Sequence, residues 1–251
     1  MIARWNLRSL RALRVLRVSA LGHHVVVGLL GAAICGAAGA AQPPRALSAS
    51  YNLYLNGAHV AVMNETYEAR NSGYRIASES VPLGALALFQ KPATVVSSGK
   101  LTPEGLRPER FEGRRIGSGQ VQAEFDWEGE RLSFSRDGKA ETVALPPGTQ
   151  DRLSIMYQFM FNPVNGRDRI ELSMTDGRRL AHYQYAVTRN VEIETPLGRM
   201  ATVHLVRQGG SANSGTEIWL APDRHFLPVR MVIREDNGTR YEQLATRIEA
   251  R

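Results

Sequence analysis

From Ala46 onward, apolar and polar side chains change places at nearly every step over short runs that stop at turn dipeptides, and no other feature restricts the fold so tightly. A period of two belongs to a strand with one buried and one open face; a helix repeats every 3.6 residues. Tyr51, Leu53 and Leu55 alternate before Asn56-Gly57, Leu132 and Phe134 before Asp137-Gly138, and Ile170, Leu172 and Met174 before Asp176-Gly177, while Asn237-Gly238 repeats the turn signal near the end. In each pair the Asn or Asp tolerates positive φ and the Gly favours it, as a tight hairpin turn requires. Further strands are expected over Tyr74–Val81, Gln120–Trp127, His182–Val187, Met200–Gln208, Thr216–Leu220 and Val229–Glu235, about twelve in all. With little helical pattern between them, antiparallel hairpins are favoured over βαβ units, and the chain is expected to be all-β and mainly antiparallel.

One interruption stands out. After Pro146-Pro147-Gly148, residues Asp151–Phe161 place Leu153, Met156, Tyr157 and Met160 at helical spacing, with Asp151 as N-cap and Asn162-Pro163 as a stop. Leu83–Phe89 is a second apolar segment, expected as a loop or short helix closing one mouth of a cavity. The Gly/Ser-rich stretch Gly209–Gly215 reads as a loop between strands.

The first 41 residues have a different grammar. Arg4, Arg8, Arg11, Arg14 and Arg17 precede the apolar run Val25–Ala38, and small residues precede Gln42-Pro43-Pro44, the order of a secretory signal. Ala38-Gly39-Ala40 and Gly39-Ala40-Ala41 both fit a signal peptidase. The run falls short of the roughly 20 residues that cross hydrocarbon and carries helix-weakening glycines, so cleavage is favoured over a retained anchor and no stable membrane span is expected afterwards. The single cysteine, Cys35, lies in this leader behind the bulky Ile34, which argues against lipid attachment. The mature chain would contain no thiol, which excludes disulfides, thiolate zinc sites and cysteine nucleophiles. These features predict a leader over 1–41, a short unstructured tether over 42–47, a single β domain over 48–251, and a periplasmic location.

The net charge of +7 comes largely from the leader. Of 31 Lys and Arg residues five lie there with no acid, leaving 26 against 24 Asp and Glu, which is no footprint for nucleic acid. Ser97-Ser98-Gly99-Lys100 spells the Ser-x-x-Lys of serine acyl-enzymes, but in strand grammar its two ends point to opposite faces. His59, His182, His204 and His225 have no metal-ligand spacing, and neither metal nor cofactor is expected. Glu124, Asp126, Glu128 and Glu130 beside Trp127 could pair carboxylates for glycoside hydrolysis, or be the solvated face of a hairpin, which is the simpler account. Arg107, Arg110, Arg114 and Arg115 could meet anionic head groups, but interleaved with Glu104, Glu109 and Glu112 they read better as the charges of an edge strand.

With the strands placed, the chain from about residue 48 resembles an exported bacterial family catalogued as domain of unknown function 3108. The resemblance rests on Ala123-Glu124-Phe125-Asp126-Trp127, Asp151-Arg152-Leu153-Ser154, Glu194-Thr195-Pro196-Leu197-Gly198, Trp219-Leu220-Ala221-Pro222-Asp223 and Leu227-Pro228-Val229-Arg230, in that order. It implies a curved or spiral antiparallel sheet, an open β-barrel-like roll wrapped around one helix, similar in shape to periplasmic lipoprotein carriers of the LolA and LolB type. It implies no catalytic residues.

Two functions follow as expectations. The first is non-catalytic binding of an apolar or amphipathic envelope component, a lipid or a partner protein, in a groove between sheet and helix lined by Trp127, Met156, Tyr157, Met160 and Trp219. Its motive is the soft, flexible apolar face of the helix. The second is an envelope hydrolase acting on glycan or ester through Glu124 and Asp126.

Overall fold

A computed structural model of the chain describes residues 43–250, apart from 116–118, 137–138, 165 and 212. The leader with Cys35 and the Asp137-Gly138 turn lie outside the described residues.

Fifteen strands form one sheet: β1 (Ala46–Leu55), β2 (Ala58–Arg70), β3 (Gly73–Pro82), β4 (Ala93–Thr102), β5 (Gly105–Arg115), β6 (Gln120–Asp126), β7 (Arg131–Arg136), β8 (Lys139–Ala144), β9 (Gln150–Asp151), β10 (Arg169–Thr175), β11 (Leu180–Thr195), β12 (Gly198–Gln208), β13 (Gly215–Ala221), β14 (Leu227–Arg234) and β15 (Arg240–Ala250). Two helices are short, α1 (Leu86–Phe89) between β3 and β4 and α2 (Ser154–Gln158) after β9. Neither is long and apolar enough to cross a membrane.

The strand order is β8-β7-β6-β5-β4-β3-β2-β1-β15-β14-β13-β12-β11-β10-β9. Two meanders therefore run outward from the β1–β15 pair, and every ladder is antiparallel except that of β9 with β10. At Asn56-Gly57 both residues have positive φ (49° and 85°), the backbone of a two-residue hairpin turn, whereas at Asp176-Gly177 and Asn237-Gly238 only the Gly does (81° and 84°), within longer connections.

A sheet this wide must curl, because each strand is twisted against its neighbour. Here the β9 end of the sheet comes round to touch β5. Gln150 Nε2 donates to the Leu106 carbonyl (2.8 Å), and Gln158 of α2 accepts from the Leu106 amide (2.7 Å) while donating to the Glu104 carbonyl (2.8 Å). The approach depends on Gly105, whose φ is +109° and where a Cβ would fall 2.5 Å from the Gln158 side chain. Deeper in the same seam Ser97 of β4 donates to Asp151 (2.5 Å). The sheet is an open, curled roll with α2 at its seam.

Alternation fills the interior. Leu47, Ala49 and Tyr51 of β1, Tyr74 and Ile76 of β3, and Ala123 and Phe125 of β6 are buried with open neighbours between them. They belong to one apolar cluster, and Phe159, Ile170, Tyr185, Leu205, Ile218 and Leu220 build a second beside the far strands.

Several expectations need correction. Pairing begins at Ala46 and Leu47 is buried, so the last two residues of the expected tether belong to β1. The helix expected over Asp151–Phe161 is a single turn of α-helix flanked by other turns. Asp151 lies in β9, yet still caps in effect, since its Oδ1 accepts from the amides of Leu153 (2.9 Å) and Ser154 (2.8 Å). β5 is no edge strand: it pairs with β4 on one side and β6 on the other, and its charges are used locally, in Lys100–Glu109 (3.0 Å) and Arg110–Glu112 contacts.

Candidate functional site

Strand parity decides which side chains the roll encloses. On β1 Tyr51 and Leu53, on β2 Met63 and Glu65, and on β3 Ser78 and Ser80 share the inward face; on the opposite wall so do Leu172 and Met174 of β10, Tyr183 and Tyr185 of β11, Arg207 of β12, Ile218 of β13 and Met231 and Ile233 of β14. Between these walls, under Ile155, Met156 and Phe159 of the α2 segment, lies a cavity of about 500 Å³. Well-packed interiors hold few voids larger than a water molecule, and this volume falls in the range of ligand sites.

The larger part of the cavity's lining is apolar, and its polar groups include Glu65, Ser78, Arg152 and Asp176 as well as Arg207 on β12. Glu65 is buried in its β2 wall, accepting from the Tyr157 hydroxyl (2.9 Å), and Tyr157 in turn stacks on Tyr67 with ring centres 5.7 Å apart. Burial pushes the Glu65 carboxyl up to about 7, against the pull of the Tyr157 and Ser78 hydroxyls and the charge of Arg152. On the far wall burial pushes the Tyr185 hydroxyl up to about 12, with Arg207 pulling the other way. The Arg207 guanidinium lies over the ring of Tyr183, 4.7 Å from its centre.

A second cavity of about 370 Å³ adjoins the first and shares Leu53, Ser80, Met231 and Ile233 with it. Leu86 and Gln90 of the α1 segment and Lys91 wall this outer space, so the short helix expected within Leu83–Phe89 borders the adjoining cavity instead of closing the main one. Leu88 and Phe89 stand beside it 78% and 84% exposed.

The five residues expected to line a groove do not come together. Met156 lines the main cavity, and Tyr157 reaches it indirectly, through Glu65. Met160 is packed into the core outside the lining. Trp127 stacks on Phe125 (5.9 Å), carries the Arg107 guanidinium on its face (5.1 Å) and donates to the Pro108 carbonyl (2.6 Å), a brace for the β5–β6 corner. Trp219 stacks on His204 (4.3 Å) under the guanidinium of Arg230 (4.9 Å), because Ile218 takes the cavity-facing parity of β13.

The carboxylates suggested for hydrolysis are engaged elsewhere. Asp126 accepts from the Gly129 amide (2.8 Å) and from Arg131 (2.9 Å), which hold its carboxyl below the usual range at an exposed turn. Glu124 takes a hydrogen bond from Gln122 (2.9 Å). A general acid needs the opposite environment, one that raises its pKa. Ser97 and Lys100 lie on strand β4, where Ser97 is buried against Tyr74 (3.1 Å) and Asp151 while Lys100 pairs with Glu109. Among the described residues no three metal-ligating side chains cluster.

Comparison with known proteins agrees with the architecture. Residues 50–245 match the family model described as a protein of unknown function (DUF3108). Among curated proteins there is no match. Among solved structures, a beta-barrel-like protein of domain of unknown function DUF1849 from Brucella abortus superposes with a TM-score of 0.50 at 11% identity, covering 82% of this chain and 98% of its own. A putative lipoprotein from Parabacteroides distasonis gives 0.36 at 11% identity, covering 83% and 96%. A putative outer membrane lipoprotein-sorting protein domain from Vibrio parahaemolyticus gives 0.25 at 6%, covering 82% and 85%. At these identities the Brucella likeness speaks to the fold alone.

Proposed function

This chain belongs to the DUF3108 family of proteins of unknown function, and from that starting point we propose that it is an exported, non-catalytic envelope protein that holds an apolar or amphipathic molecule inside its roll. The observation that carries the reading is the cavity of about 500 Å³ between α2 and the curled sheet. Its walls are largely aliphatic, sulfur-bearing and aromatic, with a minority of polar groups, the composition of a pocket that accepts hydrocarbon and orients it at a few points. Met63, Met156, Met174 and Met231 line it, and their unbranched, polarisable side chains adapt to flexible guests. The secretory grammar of residues 1–41 supports delivery to the periplasm, where envelope lipids and lipoproteins are within reach.

The test is direct. Lipid extraction and mass spectrometry of protein purified from the periplasm should recover an acyl-bearing species. A fluorescent fatty acid should be taken up by the wild type and at least about tenfold more weakly by Met156→Trp, which fills the space beneath α2. No extracted species together with no uptake would overturn the reading.

A further inference from the structure

The strongest unexplained feature of the cavity is the state of Arg207. Its strand neighbours at the same parity, Val203 and Leu205, are buried apolar residues, so the sequence places a cation where the pattern demands hydrocarbon. Its Nε is buried without a hydrogen-bond partner. Among the described residues no carboxylate forms an ion pair with it, although nearby basic side chains meet one, His204 with Glu217 (3.0 Å) and Arg230 with Glu242 (2.7 Å). The Arg207 guanidinium lies over the ring of Tyr183. The second cation of the cavity, Arg152, differs in that Glu65 lies within range of its charge.

Arg207 is half-buried, and the edge of its guanidinium that carries Nε, brought into an apolar space without an anion, carries a desolvation cost that a cation–π contact offsets only in part. Buried polar groups left unpaired in a folded protein call for an explanation, and a missing ligand is one. The groups around it fit that explanation. Tyr185, directly opposite Arg207 in the β11–β12 ladder, keeps its proton and can donate, and Leu172, Met174, Ile218 and Met231 continue from this end toward the rest of the cavity. The Arg207 end offers donors and a positive charge, the adjoining β10, β13 and β14 side chains offer hydrocarbon, and the other polar groups of the lining, Glu65 with Ser78 and Arg152 among them, already have partners of their own.

We propose that the cavity takes an anionic amphipath, a molecule with one carboxylate or phosphate group and an acyl chain, whose charged head is held by Arg207 with Tyr183 and Tyr185 and whose chain lies between Met156 and the sheet. This rests on the carrier reading above and narrows it to a charge class. A small free anion would satisfy the guanidinium but leave the apolar length empty, and a neutral lipid would fill the length but leave the guanidinium unpaired. The planar fork of Arg suits both carboxylate and phosphate.

The experiment measures binding of equal-length probes to the purified protein by calorimetry: dodecanoate, dodecyl phosphate, dodecanol and dodecylammonium, with inorganic phosphate as the chainless arm. The wild type should prefer the two anions over dodecanol by about tenfold to a hundredfold, the range for a hydrogen bond to a charged group. Dodecylammonium should bind more weakly than the alcohol, and inorganic phosphate should not bind measurably. The stronger of the two anions identifies the head group. Arg207→Gln should abolish the preference by weakening both anions far more than dodecanol, and Arg207→Lys should restore part of it. Equal wild-type affinity for anion and alcohol, equal weakening of both by Arg207→Gln, or phosphate binding as tightly as dodecyl phosphate would each overturn the proposal while leaving the carrier reading in place. Failure of every chain-bearing probe would overturn both. Should Arg207→Gln not fold, the wild-type order of affinities and the Arg207→Lys variant decide.

Discussion

Among the described residues two carboxyl groups are buried in the roll, Asp151 at the seam and Glu65 in the cavity wall, and burial raises the pKa of both. Their partners differ. Asp151 accepts two backbone amides on one oxygen and the Ser97 hydroxyl on the other, and Ser97 is itself bonded to Tyr74, so one side chain ties β9 and α2 to β4 and β3. Glu65 has two hydroxyl donors, from Tyr157 and Ser78, and beyond them the cavity. The number of donors decides what a buried carboxyl does: many fixed donors make it a structural clamp, and few leave it free to take up a proton.

The largest expected effect breaks this comparison at the seam. Asp151→Ala leaves the amides of Leu153 and Ser154 and the hydroxyl of Ser97 without their acceptor in the interior, at a cost of roughly 3 to 5 kcal/mol in urea unfolding. Glu65→Gln, which keeps an acceptor in front of Tyr157, should cost about 1 kcal/mol or less at pH 5. If the two substitutions prove equally costly, the distinction between clamp and titratable group is lost.

Much of the fold is legible because parity is a local signal, and the failures occur where parity breaks. The strand expected over His182–Val187 is in fact the sixteen-residue β11: Val191 and Ile193 keep the parity of Tyr185 and Val187, but Arg189 interrupts the apolar series where the pairing bulges after Thr188, with Asn190 at a φ of 57°. The helical spacing of Leu153, Met156, Tyr157 and Met160 correctly marks an apolar segment, but the seam contacts of Asp151 and Gln158 restrict the α-helix to one turn. The site was harder to read, because tryptophans attract attention by size and not by direction. Glu65 sits in register between Met63 and Tyr67, and Arg207 in register with Val203 and Leu205. A charged residue at inward parity was the available signal for both, and it needs no knowledge of which strands face each other. That the two lie on opposite walls of one cavity does need it, since the curl that brings β2 across from β12 is set by contacts between residues far apart in sequence.

The comparison is sharpened by pH. Glu65 moves from an ordinary value of 4.5 to about 7 on folding, so the folded protein binds this proton more tightly than the unfolded chain. Its contribution to stability is therefore fully present below about pH 4.5 and is lost as pH rises through about 7, to a limit of about 3 kcal/mol. Because Glu65→Gln has no proton to lose, the wild type should lose more stability than the variant between pH 5 and pH 8, with the divergence centred between the two pKa values. Superimposable urea-stability profiles for the two proteins would show that Glu65 does not titrate in this window.

A smaller effect isolates the hydroxyl that keeps Glu65 from rising further. Tyr157→Phe retains the ring stacked on Tyr67 and removes only the donor to Glu65. At pH 5, where Glu65 is mostly protonated, the lost bond is between neutral groups and should cost about 1 kcal/mol; at pH 8 it is a bond to a carboxylate and should cost about 2 kcal/mol. The same change removes a pull toward the ionised form, so the step in the stability profile moves to higher pH. A cost independent of pH would mean that the Tyr157 hydroxyl serves packing alone, and that the cavity wall holds Glu65 in one protonation state throughout.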